Sequence, residues 1–248
     1  LGIDYLCTPF SAVAADILDK ELDLKAFKTG SGELTNIPLL KHIASKGRPM
    51  IISTGMALIE EIQETVDAIK ETGTPFALTH CVSAYPTPYN RVNLHNIPRY
   101  RELFDVPVGL SDHSIGIYTA IGSVALGASI IEKHFTLDKL QSGPDHPVSL
   151  EPYDLGELVK GCSAVFEARG DKREIFPEEE PIIAWARESV VSEIEIKAGT
   201  KITKDMVWVK RPSPGLGAIP AKELDKVIGM TTKVDISKDK QILWEELS

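Results

Sequence analysis

Six short apolar runs, each closing on a polar cluster and each followed by a helical pattern, constrain this chain more than any other feature. They lie near Tyr5–Thr8, Ala26–Gly30, Met50–Ser53, Phe76–His80, Val106–Leu110 and Ser129–Glu132. Between them, NIPLLKHIASKG (36–47) and ALIEEIQETVDAIKETG (57–73) carry apolar residues at i, i+3 and i+4 and stop at glycine, as amphipathic helices do. Strand and helix alternating at roughly 20–35 residues per unit predicts a parallel α/β sheet.

The polar residues choose between parallel architectures. They stand at the C-terminal end of every run: Thr8, Ser31 and Glu33, Ser53 and Thr54, His80 and Ser83, Ser111 and His113, Glu132 and His134. A doubly wound sheet gathers such groups near one switch point, whereas a barrel spreads them around one rim. The expectation is therefore a (β/α)8 TIM barrel with six of its eight strands present. The strand count, with leucine and not methionine at position 1, predicts that two strands have been lost from the N-terminus.

The texture changes after Phe166. Residues 1–168 read as the partial barrel, and the charged, proline-bearing segment 169–188 reads as a linker. Residues 189–248 read as a compact, mostly β domain of about 60 residues, near the lower size for independent folding. Within it, EIKAGTKIT and DISKDKQIL are two copies of one pattern, an apolar residue, a polar turn and an apolar return.

Composition excludes several roles. A net charge of −9 argues against a general nucleic-acid binder and requires any anion site to be a local cluster of donors. No run approaches the 18 or so apolar residues of a membrane span. Cys7, Cys81 and Cys162 are well separated, with no CxxC pair, which fits a reducing cytoplasm.

The candidate chemistry starts with His113 and His134. Neutral imidazole is a common ligand for divalent metals, and two of them at neighbouring strand ends point into one barrel mouth; taken singly, each reads first as a packed or hydrogen-bonded histidine. Asp145 and Glu132 are nearby oxygens, and Glu132 reads alternatively as a group that orients a sugar or a histidine. In KTGSGE (28–33), Lys28 and Ser31 suit a phosphate, although GSG also occurs in ordinary turns. Ser53 and Ser111 repeat the theme of a hydroxyl beside glycine, and three such places on one rim favour an anion pocket. YPTPYN (85–90) reads as a rigid crossover or as a wall over a substrate. Asp145, in QSGPDHP, is an Asx-turn former or an acceptor for sugar hydroxyls. Arg211, in VKRPSPG, has by itself the look of a solvated surface arginine.

Taken together, CTPFS, KTGSGE, ISTGM, HCVSAYPTPY, GLSDHS, EKHFT, GPDH and VWVKRP resemble, in order and spacing, the sialic acid (N-acetylneuraminate) synthase family, which includes the legionaminate and pseudaminate synthases. The C-terminal part resembles the antifreeze-like (SAF) domain these enzymes share with type III antifreeze proteins. The resemblance implies condensation of phosphoenolpyruvate with an N-acetylated hexosamine such as N-acetylmannosamine, giving a nine-carbon 2-keto sugar acid and phosphate. It implies a divalent metal, Mn2+ with Mg2+ or Co2+ as substitutes, held by His113 and His134. It places Thr8, Lys28, Ser31, Ser53 and Ser111 on the phosphate and carboxylate, with Ser83 at a position that is Asn in some relatives. Glu33, Tyr85 and Asp145 match residues around the sugar, and with the two histidines Glu33 and Asp145 are the catalytic candidates. Arg211 matches an arginine that reaches the N-acetyl group in the partner subunit's site, which implies a domain-swapped homodimer. The family also carries two earlier strands, with an acidic residue, a lysine and a glutamine, to which nothing in this chain corresponds. IPAKELDKVIG resembles the sialate and legionaminate branches more than the pseudaminate one. Synthases of shorter keto-sugar acids lack the appended domain, and a non-catalytic carbohydrate-binding module would leave the polar rim unexplained.

Overall fold

The computed structural model describes residues 2–212 and 218–248, so part of VKRPSPG lies outside the described residues. The chain divides into two compact units, Leu1–Gly170 and Asp171–Ser248.

The first unit is built on a parallel sheet of five strands in sequence order. These are β1 (Phe27–Thr29), β2 (Met50–Ser53), β3 (Phe76–Cys81), β4 (Val108–Asp112) and β5 (Ile131–Lys133). Six helices accompany them: α1 (Ala12–Glu21), α2 (Ile37–Ala44), α3 (Ile59–Lys70), α4 (Asn96–Phe104), α5 (Tyr118–Ala125) and α6 (Pro152–Ala168). The helices begin where their sequences supply caps. Ser11 accepts from the Ala14 amide and Asn36 from the Leu39 amide, and the Glu61 carboxylate accepts from the Leu58 amide, each satisfying an otherwise unpaired N–H. α3 then buries Ile62, Val66 and Ile69, the i, i+4, i+7 stripe that turns a helix onto a core.

Alternation along the strands divides the sheet into two faces. Phe27, Met50, Ile52, Leu78, Val108 and Leu110 are buried in one apolar core with the helix residues Leu40, Ile43, Ile62 and Phe104. The opposite set, including Lys28, Ser53, Thr79, Ser111 and Glu132, makes the other face polar toward its carboxyl end. Gly109 brings β4 and β5 close: a Cβ there would lie 2.3 Å from the Ile130 carbonyl oxygen.

The predicted architecture of a partial α/β barrel is present, with one strand fewer than expected. The run near Tyr5–Thr8 contributes a single parallel bridge, Cys7 to Phe27. Ile3 and Tyr5 are 84% and 61% exposed, and parallel strands persist where both faces are covered. Past β5, Phe135 bridges Leu150, extending the edge by a contact not anticipated from the sequence.

The second unit has its own core of Val190, Ile196, Ile202, Val207, Ile219, Val227, Ile236, Ile242 and Leu247. Its segment 171–188, within what reads as a linker, carries a short helix, α7 (Glu180–Ala186). β6 (Ser189–Ser192) and β7 (Val207–Lys210) pair antiparallel, and α8 (Leu224–Val227) follows. The two repeat copies are structural equivalents. Ile196 and Ile236 exchange both backbone hydrogen bonds at 2.8 Å, Gly199 and Asp239 occupy matching positive-φ turns, and Ile202 and Ile242 return into the core.

Candidate active site at the carboxyl ends of the strands

Lys28 leaves β1 toward the polar face and donates to Ser53 Oγ (2.6 Å) and the Thr29 carbonyl (2.9 Å). Its Nζ lies 3.3 Å from Glu132 Oε2, an oxygen shielded from solvent that makes no hydrogen bond. Ser53 Oγ also meets Thr79 Oγ1 at 2.8 Å. On the neighbouring rim, Ser31 Oγ accepts from the Gly55 amide at 3.0 Å. Gly55 is required for this crowding: a Cβ there would stand 2.3 Å from Ser83 Oγ, 2.7 Å from Ser31 Oγ and 3.0 Å from Cys81 Sγ. Hydroxyls from several strand ends therefore gather around one lysine, a donor set suited to an anion in an acidic protein.

The two histidines stand beside this cluster. His113 Nδ1 lies 2.9 Å from the Val82 carbonyl, which can only accept, so Nδ1 carries the hydrogen and the neutral ring offers its Nε2 lone pair. Burial draws the His113 pKa down, but the Cys81 sulfur, the Val82 carbonyl and the Glu132 charge outweigh it and the net shift is upward. His134 is held below its usual value, first by burial and then by the His113 charge, so it is neutral at neutral pH. Cys81, whose Sγ is 3.8 Å from His113 Nδ1, is pushed up by burial and pulled further down by hydrogen bonds from His113, Ser31 and Ser83. The imidazoles meet edge to face with centroids 5.3 Å apart, and the Tyr85 ring lies 4.1 Å from His113 and 5.5 Å from His134.

One cavity of about 390 Å³ joins Lys28, Ser31, Ser53, Ser83, Tyr85, Ser111, His113, Glu132 and His134. Thr8 lines an adjoining cavity that shares Lys28 and Glu132. Asp145 Oδ2 stands 3.9 Å from His134 Nδ1. Glu33 is not part of the cavity lining and accepts instead from the Asn36 side chain at 2.8 Å. Arg211 belongs to the second unit, where it lies 3.9 Å from Glu188. Glu132, named in the sequence as a nearby oxygen, is a member of the site, and Thr79 and Cys81 are members that the residue patterns did not single out. The alternation of β3 and β5 was the available signal, since Thr79, Cys81 and Glu132 share the face of Ser111.

A metal ion fits the two imidazoles in part. Both rings open on the same cavity, and His113 offers an uncommitted Nε2. Among the described residues no third His, Cys, Asp or Glu completes a cluster. Such an ion would keep positions for water or substrate, as catalytic metal sites do.

A family model described as the NeuB family matches residues 1–174, and one described as the SAF domain matches residues 187–248. An uncharacterized protein of Methanocaldococcus jannaschii is 42% identical over all of this chain and 73% of its own length. The N,N'-diacetyllegionaminic acid synthase of Campylobacter jejuni is 41% identical over 94% of this chain and 71% of its own. Among solved structures, the N-acetylneuraminic acid (sialic acid) synthetase of Leptospira borgpetersenii, in complex with citrate, superposes with a TM-score of 0.67. It is 37% identical, with 71% of this chain and 62% of that one covered.

Proposed function

The chain belongs to the NeuB family, and from that premise we propose that it condenses phosphoenolpyruvate with an N-acetylated hexosamine, giving a nine-carbon 2-keto sugar acid and phosphate. The observation that carries this reading is the convergence of Lys28, four serine hydroxyls and two histidines on one cavity. In the reaction, C3 of phosphoenolpyruvate bonds to the sugar aldehyde carbon, whose oxygen takes a proton. Water then adds at C2, and phosphate leaves as the C2–O bond breaks.

The chain's own residues supply the binding. Lys28 is the point charge for the phosphate or carboxylate, and Ser31, Ser53, Ser83, Ser111 and Thr8 contribute directional donors around it. Glu132 tethers the Lys28 ammonium beside the reacting centre. Tyr85 covers the two histidines and walls the sugar side, where Asp145 and Glu33 would accept from hydroxyls. A divalent ion, Mn2+ in this proposal, would be held by His113 and His134 and would polarise the aldehyde as a Lewis acid. Arg211 would serve the N-acetyl group in a second copy of the chain, in a domain-swapped homodimer. The free thiols of Cys7, Cys81 and Cys162 support a reducing, cytoplasmic setting. The legionaminic acid synthase relative supports a second acceptor, the 6-deoxy-diacetamido analogue of the same sugar.

Phosphate release from phosphoenolpyruvate tests the proposal, with N-acetylmannosamine or its diacetamido analogue, each in Mn2+ and in chelator. Metal-dependent release with one sugar identifies the acceptor, and His113→Ala or His134→Ala should then lower turnover ~10²-fold or more with an unchanged circular dichroism spectrum. No release with either sugar from the folded protein would refute the proposal.

A further inference from the structure

Each candidate ligand directly follows a charged residue: His113 follows Asp112, and His134 follows Lys133. Those two charges are register partners across β4 and β5. They lie on the helix-facing side of the sheet, with side chains only 1% and 3% exposed, and they meet at 2.9 Å. Asp112 Oδ2 also accepts from Thr119 Oγ1 of α5 at 2.7 Å, and its Oδ1 accepts from the Ser114 amide at 2.9 Å. Lys133 Nζ donates further to the Ser114 carbonyl. The pair therefore ties together the end of β4, the end of β5 and the start of α5.

A buried ion pair is a poor device for stability alone. Removing both charges from water is costly, and a well-packed apolar pair of the same volume is often as stable. An ion pair supplies direction and register, which apolar contact does not. One residue further along each strand the chain turns into the cavity, where the imidazoles stand edge to face 5.3 Å apart. A divalent ion holds imidazole nitrogen at short range, about 2.0–2.1 Å for zinc, so a slip of β4 against β5 by a fraction of a residue would prevent two rings from sharing an ion.

We propose that the Asp112–Lys133 pair is a positioning device for the two-histidine site: it pins the ends of β4 and β5 in register so that His113 and His134 converge. This rests on reading the two histidines as one site, and it concerns residues that do not touch substrate.

The test uses the full chain carrying Asp112→Asn with Lys133→Gln, neutral amides that keep hydrogen bonds across the pair. Ring NMR on histidine-labelled, metal-free protein reads the nuclear Overhauser contact between the two imidazoles. Paramagnetic resonance of Mn2+ reads ion binding, and the thermal midpoint reads the fold. The expected result is a folded protein that loses the cross-ring contact and binds Mn2+ about tenfold or more weakly. Lys133→Arg, which keeps the ion pair, should retain both. An unchanged cross-ring contact and Mn2+ affinity in the folded double variant would overturn the proposal. Should that variant not fold, Thr119→Val, which removes the α5 hydroxyl's bonds to Asp112 and Ser114, is read in the same way: a weakened ring contact supports positioning and an unchanged one overturns it. Wild-type protein that shows the ring contact but binds no Mn2+ would refute the metal reading, while the ring NMR would still decide the positioning role.

Discussion

Single atoms set the behaviour of the rim. Gly55 sits where three side chains converge, and a methyl group there must displace Ser83 and Ser31. A hydrogen bond to a charged group contributes about 1.5–3 kcal/mol, so Gly55→Ala should raise the KM for phosphoenolpyruvate roughly tenfold or more with little change in Tm. Initial-rate kinetics check this, and an unchanged KM would remove these hydroxyls from the anion site. His80 acts on stability instead. Its Nε2 lies 2.6 Å from the Val92 carbonyl, and its Nδ1 is buried without a partner. Burial lowers its pKa against the opposing pull of the Val92 carbonyl. Below pH 6.5 the unfolded chain therefore takes up a proton that the folded chain refuses. The neutral His80 contribution is complete above that pH and is lost as pH falls through the lower folded value. Denaturant melts between pH 7.5 and 5 should show this slope, and His80→Gln, which can still donate to Val92, should flatten it. At this scale the strand-end hydroxyls and both histidines were legible in sequence, because polar groups at strand ends are a local pattern. The Glu33 contact to Asn36, which also caps α2, was not legible, because that local competition leaves no mark in a motif.

Elements stand or fall on close approach. Gly109 lets β4 lie against the Ile130 backbone, so Gly109→Ala should cost about 1–3 kcal/mol through overpacking. A lower urea midpoint at unchanged m-value would confirm it; an unchanged midpoint would show that the strands can part without penalty. The five strands with apolar helix-facing residues were readable because period two and period 3.6 are properties of neighbouring residues. The run near Tyr5–Thr8 has the same local pattern yet makes one bridge, since a strand also needs partners that no local pattern contains. α7 was hidden for another reason. Pro177 and Pro181 read as breakers, but each lies in the first turn of its own segment, where a missing N–H is harmless.

For the molecule as a whole, the two units bury separate apolar clusters. Residues 187–248 expressed alone should give a dispersed amide spectrum and a cooperative melt; a collapsed spectrum would show that this core is insufficient by itself. The repeat copies make that outcome readable from sequence, since Ile196 and Ile236 pair through equivalent backbone atoms and each copy closes the other. The sequence by itself determined the parallel α/β plan, the polar rim, the pair of histidines and the small repeat-built domain. All of these follow from residue type at fixed short spacing. Only the tertiary structure decided that Asp112 and Lys133, ordinary charges in the sequence, are buried against each other, and that Cys81 shares the cavity with the histidines. Those facts depend on register between strands some twenty residues apart, where the competition between desolvation and a specific partner is settled by packing that neighbouring residues do not encode.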